Sequence, residues 1–140
     1  MYLSISYDGQ IISLGGDPYK SVGGNVYLDR MGGLVLYINE NGMPHYSEGK
    51  IDRIGNTSIY YGNYTDYSFA QGKLKQIGSV YIYYRSFDES EYERGKISKI
   101  DGISVYYTGY NGPSAALGKP KQVGNVSIYY DYDGNIKEFK

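Results

Sequence analysis

The side chains best placed to do chemistry in this sequence are tyrosines. Tyr60, Tyr83, Tyr106 and Tyr129 recur every 23 residues, and aromatic rings at a fixed interval suit stacking against sugars or another extended ligand. The same row would also serve as cross-strand packing on a half-exposed sheet. Carboxylates come next, because glycoside hydrolysis needs only two. Asp88, Glu89, Glu91 and Glu93 crowd one polar stretch, which reads as a solvated loop. Asp131 and Asp133, followed by Gly134-Asn135, make a weak calcium candidate that lacks the distal Glu of a calcium loop. Asx turns account for the same residues without a metal. His45 is the single His and sits in a polar stretch with no acid and Ser at triad spacing. The glycines of Leu14-Gly15-Gly16 and Gly23-Gly24 lack the phosphate- and dinucleotide-binding patterns. The expectation is therefore no catalytic residue, no cofactor and no enzyme.

Composition narrows the field further. The 140 residues contain no Cys, so neither a disulfide framework nor a Cys-based zinc or redox site is available. A net charge of −1 argues against a nucleic-acid partner, whose binding rests on Lys and Arg neutralising phosphates. No apolar run reaches the ~18 residues of a membrane span. The opening MYLSISYDGQ has neither the basic nor the apolar region of a signal peptide. Three Asn-x-Ser/Thr triplets, at Asn56, Asn63 and Asn125, follow from turn Asn preceding strand residues.

The elements that must position these residues emerge from a repeat. Gly-Lys occurs at Gly49-Lys50, Gly72-Lys73, Gly95-Lys96 and Gly118-Lys119, always 23 residues apart. The segments that follow are GKIDRIGNTSIYY, GKLKQIGSVYIYY, GKISKIDGISVYY and GKPKQVGNVSIYY. One period earlier, VYLDRMGGLVLYI falls in register. The chain thus divides into an atypical N-terminal cap, 1–25, and repeats 26–48, 49–71, 72–94, 95–117 and 118–140, together a single repeat domain over 1–140. Within each repeat, Gly55-Asn56, Gly78-Ser79, Asp101-Gly102 or Gly124-Asn125 joins two strand-prone runs. Gly-X favours a type II′ turn and Asp-Gly a type I′ turn. Connections of about ten residues separate the hairpins and carry Tyr64, Tyr67, Phe69, Phe87, Tyr92 and Tyr110; these aromatics are expected to fold back over one face.

The expected fold is all-β: an antiparallel meander of about thirteen short strands in an open, twisted, solenoid-like sheet. A closed β-barrel filled by loops is the alternative. Two-residue turns fix the register. One face then carries the columns Ile54/Ile77/Ile100/Val123, Thr57/Val80/Ile103/Val126, Ile59/Ile82/Val105/Ile128 and Tyr61/Tyr84/Tyr107/Tyr130, with the four lysines at its margin. The other carries Tyr60/Tyr83/Tyr106/Tyr129 beside Ile51/Leu74/Ile97/Pro120. The aliphatic face should be buried, at about 1.5–3 kcal/mol for each fully buried side chain. The lysines read as plain charged strand ends lying along Tyr.

The unit IGNVSIYYDYDGNIKEF resembles uncharacterised bacterial Tyr-rich β-hairpin repeat proteins of the IYYDYDGxI/xIG type, a likeness that covers most of the chain and brings no known activity. Tyr130, Asp131, Gly134 and Ile136 also resemble the Tyr-Asp-x-x-Gly-x-Leu pattern of YD repeats in RHS-type proteins. MORN repeats are similar in their 23-residue length and hairpin form, although their Trp-containing pattern is missing here. The last two resemblances imply, at most, a hairpin array used as a shell or scaffold.

The framework repeats while the connections differ, which points to a non-enzymatic scaffold or interaction module contacting partners through its sheet face, its edges or its variable loops. Protein or glycan partners, and self-association through edge strands, fit this reading. The alternative is a carbohydrate-binding module using the row Tyr60, Tyr83, Tyr106 and Tyr129.

Overall fold

A computed structural model describes residues 3–14, 17–18, 28–31, 34–38, 50–110 and 112–140, with side-chain environments at 3–11, 50–110 and 112–140. His45, the Gly15-Gly16 and Gly23-Gly24 pairs and most of the first repeat's connection lie outside the described residues. The chain divides into two compact units, Met1–Tyr81 and Ile82–Lys140.

The first unit contains β1 (Leu3–Ile5), β2 (Ile11–Leu14), β3 (Asp17–Pro18), β4 (Leu28–Met31), β5 (Leu34–Ile38), β6 (Ile51–Ile54), β7 (Thr57–Tyr61) and β8 (Leu74–Ile77). Strand β9 (Val80–Tyr84) begins there and ends in the second unit. The second unit continues with β10 (Ile97–Ile100), β11 (Ile103–Tyr107), a 3-10 turn at Ser114–Ala116, β12 (Pro120–Val123), β13 (Val126–Tyr130) and β14 (Ile136–Phe139). β1, β2 and β3 form one antiparallel sheet, and β4 through β14 pair antiparallel in chain order. The fold is all-β, with no α-helix among the described residues. The large sheet is not closed, because β4 pairs only with β5 and β14 only with β13. The closed barrel is thereby set aside: every described neighbour is a hairpin or meander partner.

Turn chemistry behaves as the residues dictate. Gly55, Gly78 and Gly124 take φ of 56°, 57° and 58°, the left-handed first position of a type II′ turn. Asp101 and Gly102 are both positive, 48° and 88°, as a type I′ turn requires.

Strand register departs from a simple alternation. Between β7 and β8 the partners run Ile59↔Ile77, Tyr60↔Gln76 and then Tyr61↔Leu74, skipping Lys75. The same skip occurs at Asp52, Ser98, Lys121 and Lys137. One extra residue is a β-bulge, and with a side-chain period of two it moves every residue beyond it to the opposite face. Ile51, Leu74, Ile97 and Pro120 therefore do not share the outer tyrosine face. They turn inward, Ile51 and Leu74 fully buried and Ile97 only 5% exposed.

The core of the first unit gathers Ile51, Ile54, Ile59 and Leu74; that of the second gathers Ile82, Tyr84, Ile97, Val105, Tyr107 and Ala116. The aliphatic face is not buried along its whole width, however. Ile103, Val123 and Val126, next to the two-residue turns, remain exposed. In the second unit burial is concentrated away from the two-residue turns, whereas in the first unit Ile54, beside its turn, is only 7% exposed.

The connections are closed at the neck. Gly62 N–H donates to Lys73 O and Gly72 N–H to Gly62 O, both at 2.8 Å. Arg85 with Lys96 and Gly95, and Thr108 with Lys119 and Gly118, repeat the pattern. A loop whose own backbone is satisfied this way has no need to lie across the sheet. Tyr64, Tyr67, Phe87 and Tyr110 are accordingly exposed, contrary to the expectation that they fold back, while Phe69 and Tyr92 are half-buried. The loop residue that does enter the core is Ala116.

Candidate binding face

The sheet-face tyrosines are presented to solvent by strand alternation. In the first unit Tyr60 is 52% exposed and stands across from Gln76. In the second unit Tyr83, Tyr106 and Tyr129 project from β9, β11 and β13, exposed by 53%, 41% and 45%. Alternate strands place such positions about 10 Å apart, twice the interstrand distance. Their cross-strand partners are Lys99, Gln122 and Glu138. The Arg85 guanidinium lies 5.3 Å from the centre of the Tyr106 ring and Lys140 Nζ 5.4 Å from that of Tyr129. Arg85 is held by donating to Val105 O at 2.7 Å. Polar side chains thus alternate with rings.

A second constellation, which sequence reasoning missed, lies at the other end of each hairpin. Lys50 Nζ donates to Gly72 O, Lys96 Nζ to Gly118 O at 2.6 Å, and Lys119 Nζ to Gly134 O at 2.6 Å. Each ammonium also sits over a tyrosine ring: Tyr61 at 5.1 Å, Tyr107 at 5.1 Å and Tyr130 at 5.8 Å. The accepting glycines take φ of 76°, 79° and 82°, a backbone conformation that L side chains rarely adopt. Tyrosine hydroxyls complete the arrangement. Tyr61 Oη donates to Ile51 O at 2.9 Å and Tyr107 Oη to Ile97 O at 2.7 Å, and Tyr130 Oη donates to Pro120 O. These lysines are ties rather than plain charged strand ends: Lys50 and Lys96 reach a glycine 22 residues on and Lys119 one 15 residues on. Burial lowers the pKa of Lys50 and Lys96, opposed by the carboxylates of Asp8 and Glu93 respectively. For Lys50 and Lys96 the signal was the Gly of the next Gly-Lys pair, a left-handed residue 22 positions on; Gly134, which accepts from Lys119, belongs to no such pair.

The carboxylates do not converge. Glu89 pairs with Arg85 at 3.9 Å, and Glu91 accepts from Tyr110 Oη at 3.4 Å. Asp131 Oδ1 accepts the backbone N–H of Asp133 at 2.9 Å and of Asn135 at 3.0 Å, an Asx turn. No group of three or more His, Cys, Asp or Glu side chains able to hold a metal occurs among the described residues. Asn63 is engaged likewise, its Oδ1 accepting from Thr65 N–H at 2.8 Å. A shallow pocket of about 250 Å³ is lined by Thr108, Gly109, Tyr110, Gly112 and Lys121. No carboxylate or His is among its described lining residues. No helix among the described residues is long and apolar enough to cross a membrane.

No protein-family model, no curated protein and no solved structure matches the chain. The functional reading therefore rests on the geometry above.

Proposed function

We propose that the chain is a non-enzymatic β-repeat scaffold, a solenoid-like interaction module that displays different loops and a tyrosine-lined face on a repeated frame. One observation carries this reading: the frame contacts recur while the loop contacts do not. Lysine-to-glycine ties and tyrosine-to-carbonyl bonds return from repeat to repeat. The loops between them are held by unlike means: the Lys75–Asp66 pair at 2.9 Å, the Arg85–Glu89 pair, and the 3-10 turn carrying Ala116. The resemblance to Tyr-rich bacterial hairpin repeats agrees with it. The free edge of β14, exposed at all four residues, offers a place for strand addition by a partner or a second copy.

Deleting one whole period, residues 95–117, tests the reading. A repeat frame refolds cooperatively with a smaller urea m-value, because the stability of such arrays is roughly a sum over repeats and their interfaces. Loss of all cooperative structure would overturn it.

A second reading, carbohydrate binding, is favoured by the exposure of Tyr60, Tyr83, Tyr106 and Tyr129. Rings covered by the loops could not reach a sugar, and these are 41–53% exposed. A glycan array probed with the wild-type chain and with Tyr83→Ala/Tyr106→Ala checks it, binding in the first and loss in the second being the expected result.

A further inference from the structure

The tyrosine row of the second unit has a feature that neutral sugar stacking leaves unused: each ring comes with a cation on its own face. Lys99 stands directly across from Tyr83, exposed to solvent. Arg85 lies over Tyr106 and Lys140 over Tyr129. The rings stand on β9, β11 and β13, while the cations come from β10 (Lys99) and from the residues just after β9 (Arg85) and β14 (Lys140), one pair for about 10 Å of travel across the strands. A ligand matched to this face repeats at that interval, with one flat apolar surface for the ring and one negative charge for the cation in each step.

Resting on the carbohydrate reading, we infer that the second unit binds a linear polysaccharide in which a uronic acid alternates with an uncharged sugar. A disaccharide of this kind advances by a similar length. It brings the C–H face of one sugar to tyrosine and the carboxylate of the other to Lys99, Arg85 or Lys140. Arg85 gives one terminal nitrogen to Val105 O and holds its Nε 3.9 Å from Glu89, which competes with a uronate for the guanidinium; its other terminal nitrogen keeps donors to spare. Adjacent strands rotate by about 20–25°, so successive rings turn relative to one another. That geometry accepts a single twisted chain and rejects a flat crystalline surface. A single-stranded nucleic acid fits less well, because stacked or extended bases follow one another at shorter intervals than the rings. Glu138 works against the ligand. It lies across from Tyr129 and pairs with Lys140 at 3.3 Å, so it competes with a uronate for that ammonium.

The test is isothermal titration of the full chain with hyaluronan decasaccharide, cellohexaose and oligo(dT). The expected order is hyaluronan first, with affinity falling as salt rises. Lys99→Gln weakens hyaluronan about two- to fivefold, the range of one exposed ion pair, and leaves cellohexaose unchanged. Glu138→Gln strengthens hyaluronan by a similar factor. Circular dichroism of both variants, which change solvent-exposed side chains, verifies that the fold is intact. Equal affinity for hyaluronan and cellohexaose overturns the uronate inference while leaving carbohydrate binding in place. Binding to neither overturns both. Oligo(dT) binding more tightly than either sugar overturns the inference in favour of a nucleic-acid face.

Discussion

The two ends of each hairpin start from similar residues and finish in different environments. At the bulge end, Leu74 and Ile97 are buried, Tyr107 donates its hydroxyl to Ile97 O, and a lysine ties one repeat to a later glycine. At the turn end, Ile103 is 52% exposed and Val126 45%, although both are β-branched residues in strands. Hydrophobicity alone does not separate these positions. The bulge does, by swinging an additional apolar residue onto the face that already holds Ile59, Ile82 and Val105, so that apolar density peaks there. The polar groups that come along with it find partners in the lysines, tyrosines and glycine carbonyls. In the second unit stability therefore resides at the bulge end of the hairpins and the turn end is left to solvent; in the first unit Ile54 is buried beside its turn as well.

The sharpest way to break this contrast is truncation at both ends. Leu74→Ala or Ile97→Ala should cost about 2–5 kcal/mol, as buried aliphatic truncations do. Ile103→Ala should cost less than about 1 kcal/mol, since half of its surface is already wet. Urea unfolding measures both, and equal costs would show that burial is spread along the hairpin.

Next in size is the glycine tie. A side chain on Gly118 would be strained at its φ of 79°, and its Cβ would stand 2.8 Å from Lys96 Nζ. Gly118→Ala is expected to cost about 1–3 kcal/mol. Lys96→Met added to it should cost less than Lys96→Met alone, because the new Cβ already pushes the ammonium off the Gly118 carbonyl, leaving it only its 2.7 Å bond to Tyr92 O. Full additivity in the double-mutant cycle would mean that the tie contributes nothing.

Removing single hydroxyls compares the two tyrosines of one strand. Tyr107→Phe leaves the buried Ile97 carbonyl without its side-chain donor and should cost about 1 kcal/mol. Tyr106→Phe, on the exposed ring, should leave the melting temperature unchanged. The neighbours differ by one position and by face alone.

The smallest expected effect is a pH dependence. Burial lowers the pKa of Lys50, Lys73 and Lys96 from the ordinary 10.5, with nearby acids opposing the shift. Between each lowered value and 10.5 the unfolded chain holds more protons than the folded one, so stability rises as pH climbs through that interval. Thermal melts below pH 10.5 should show this rise, and Lys96→Met should flatten it. A melting temperature that falls across the same range in the wild type but not in the variant would contradict the burial of these ammoniums.

Much of the fold was legible because it is local. A Gly or Asp-Gly pair between strand-prone runs specifies a II′ or I′ turn through φ alone, and Gly55, Asp101 and Gly124 adopt the expected values. The exposed tyrosines were legible as well, since position within a hairpin fixes which face Tyr83 and Tyr106 occupy on the side of the bulge nearer the turn. Beyond the bulge, the alternation inferred from the turn no longer held. The skip at Lys75, Ser98 or Lys121 has no mark in residue type, so Leu74, Ile97 and Pro120 were placed on the wrong face. The role of the lysines was hidden for another reason: their acceptors are backbone carbonyls 15 to 22 residues further on, and a carbonyl leaves no trace in residue letters.

The 23-residue period, the turn types, the strands and the identity of the outward tyrosines were determined by the sequence itself. Each follows from backbone preferences and neighbours a few residues apart. Only the tertiary structure decided where the core lies, which apolar residues stay wet, that the loops close on their own necks, and that lysines reach glycine carbonyls 15 to 22 residues on. Those outcomes depend on contacts from 10 to 22 residues apart and on a bulge whose single extra residue re-aims everything after it.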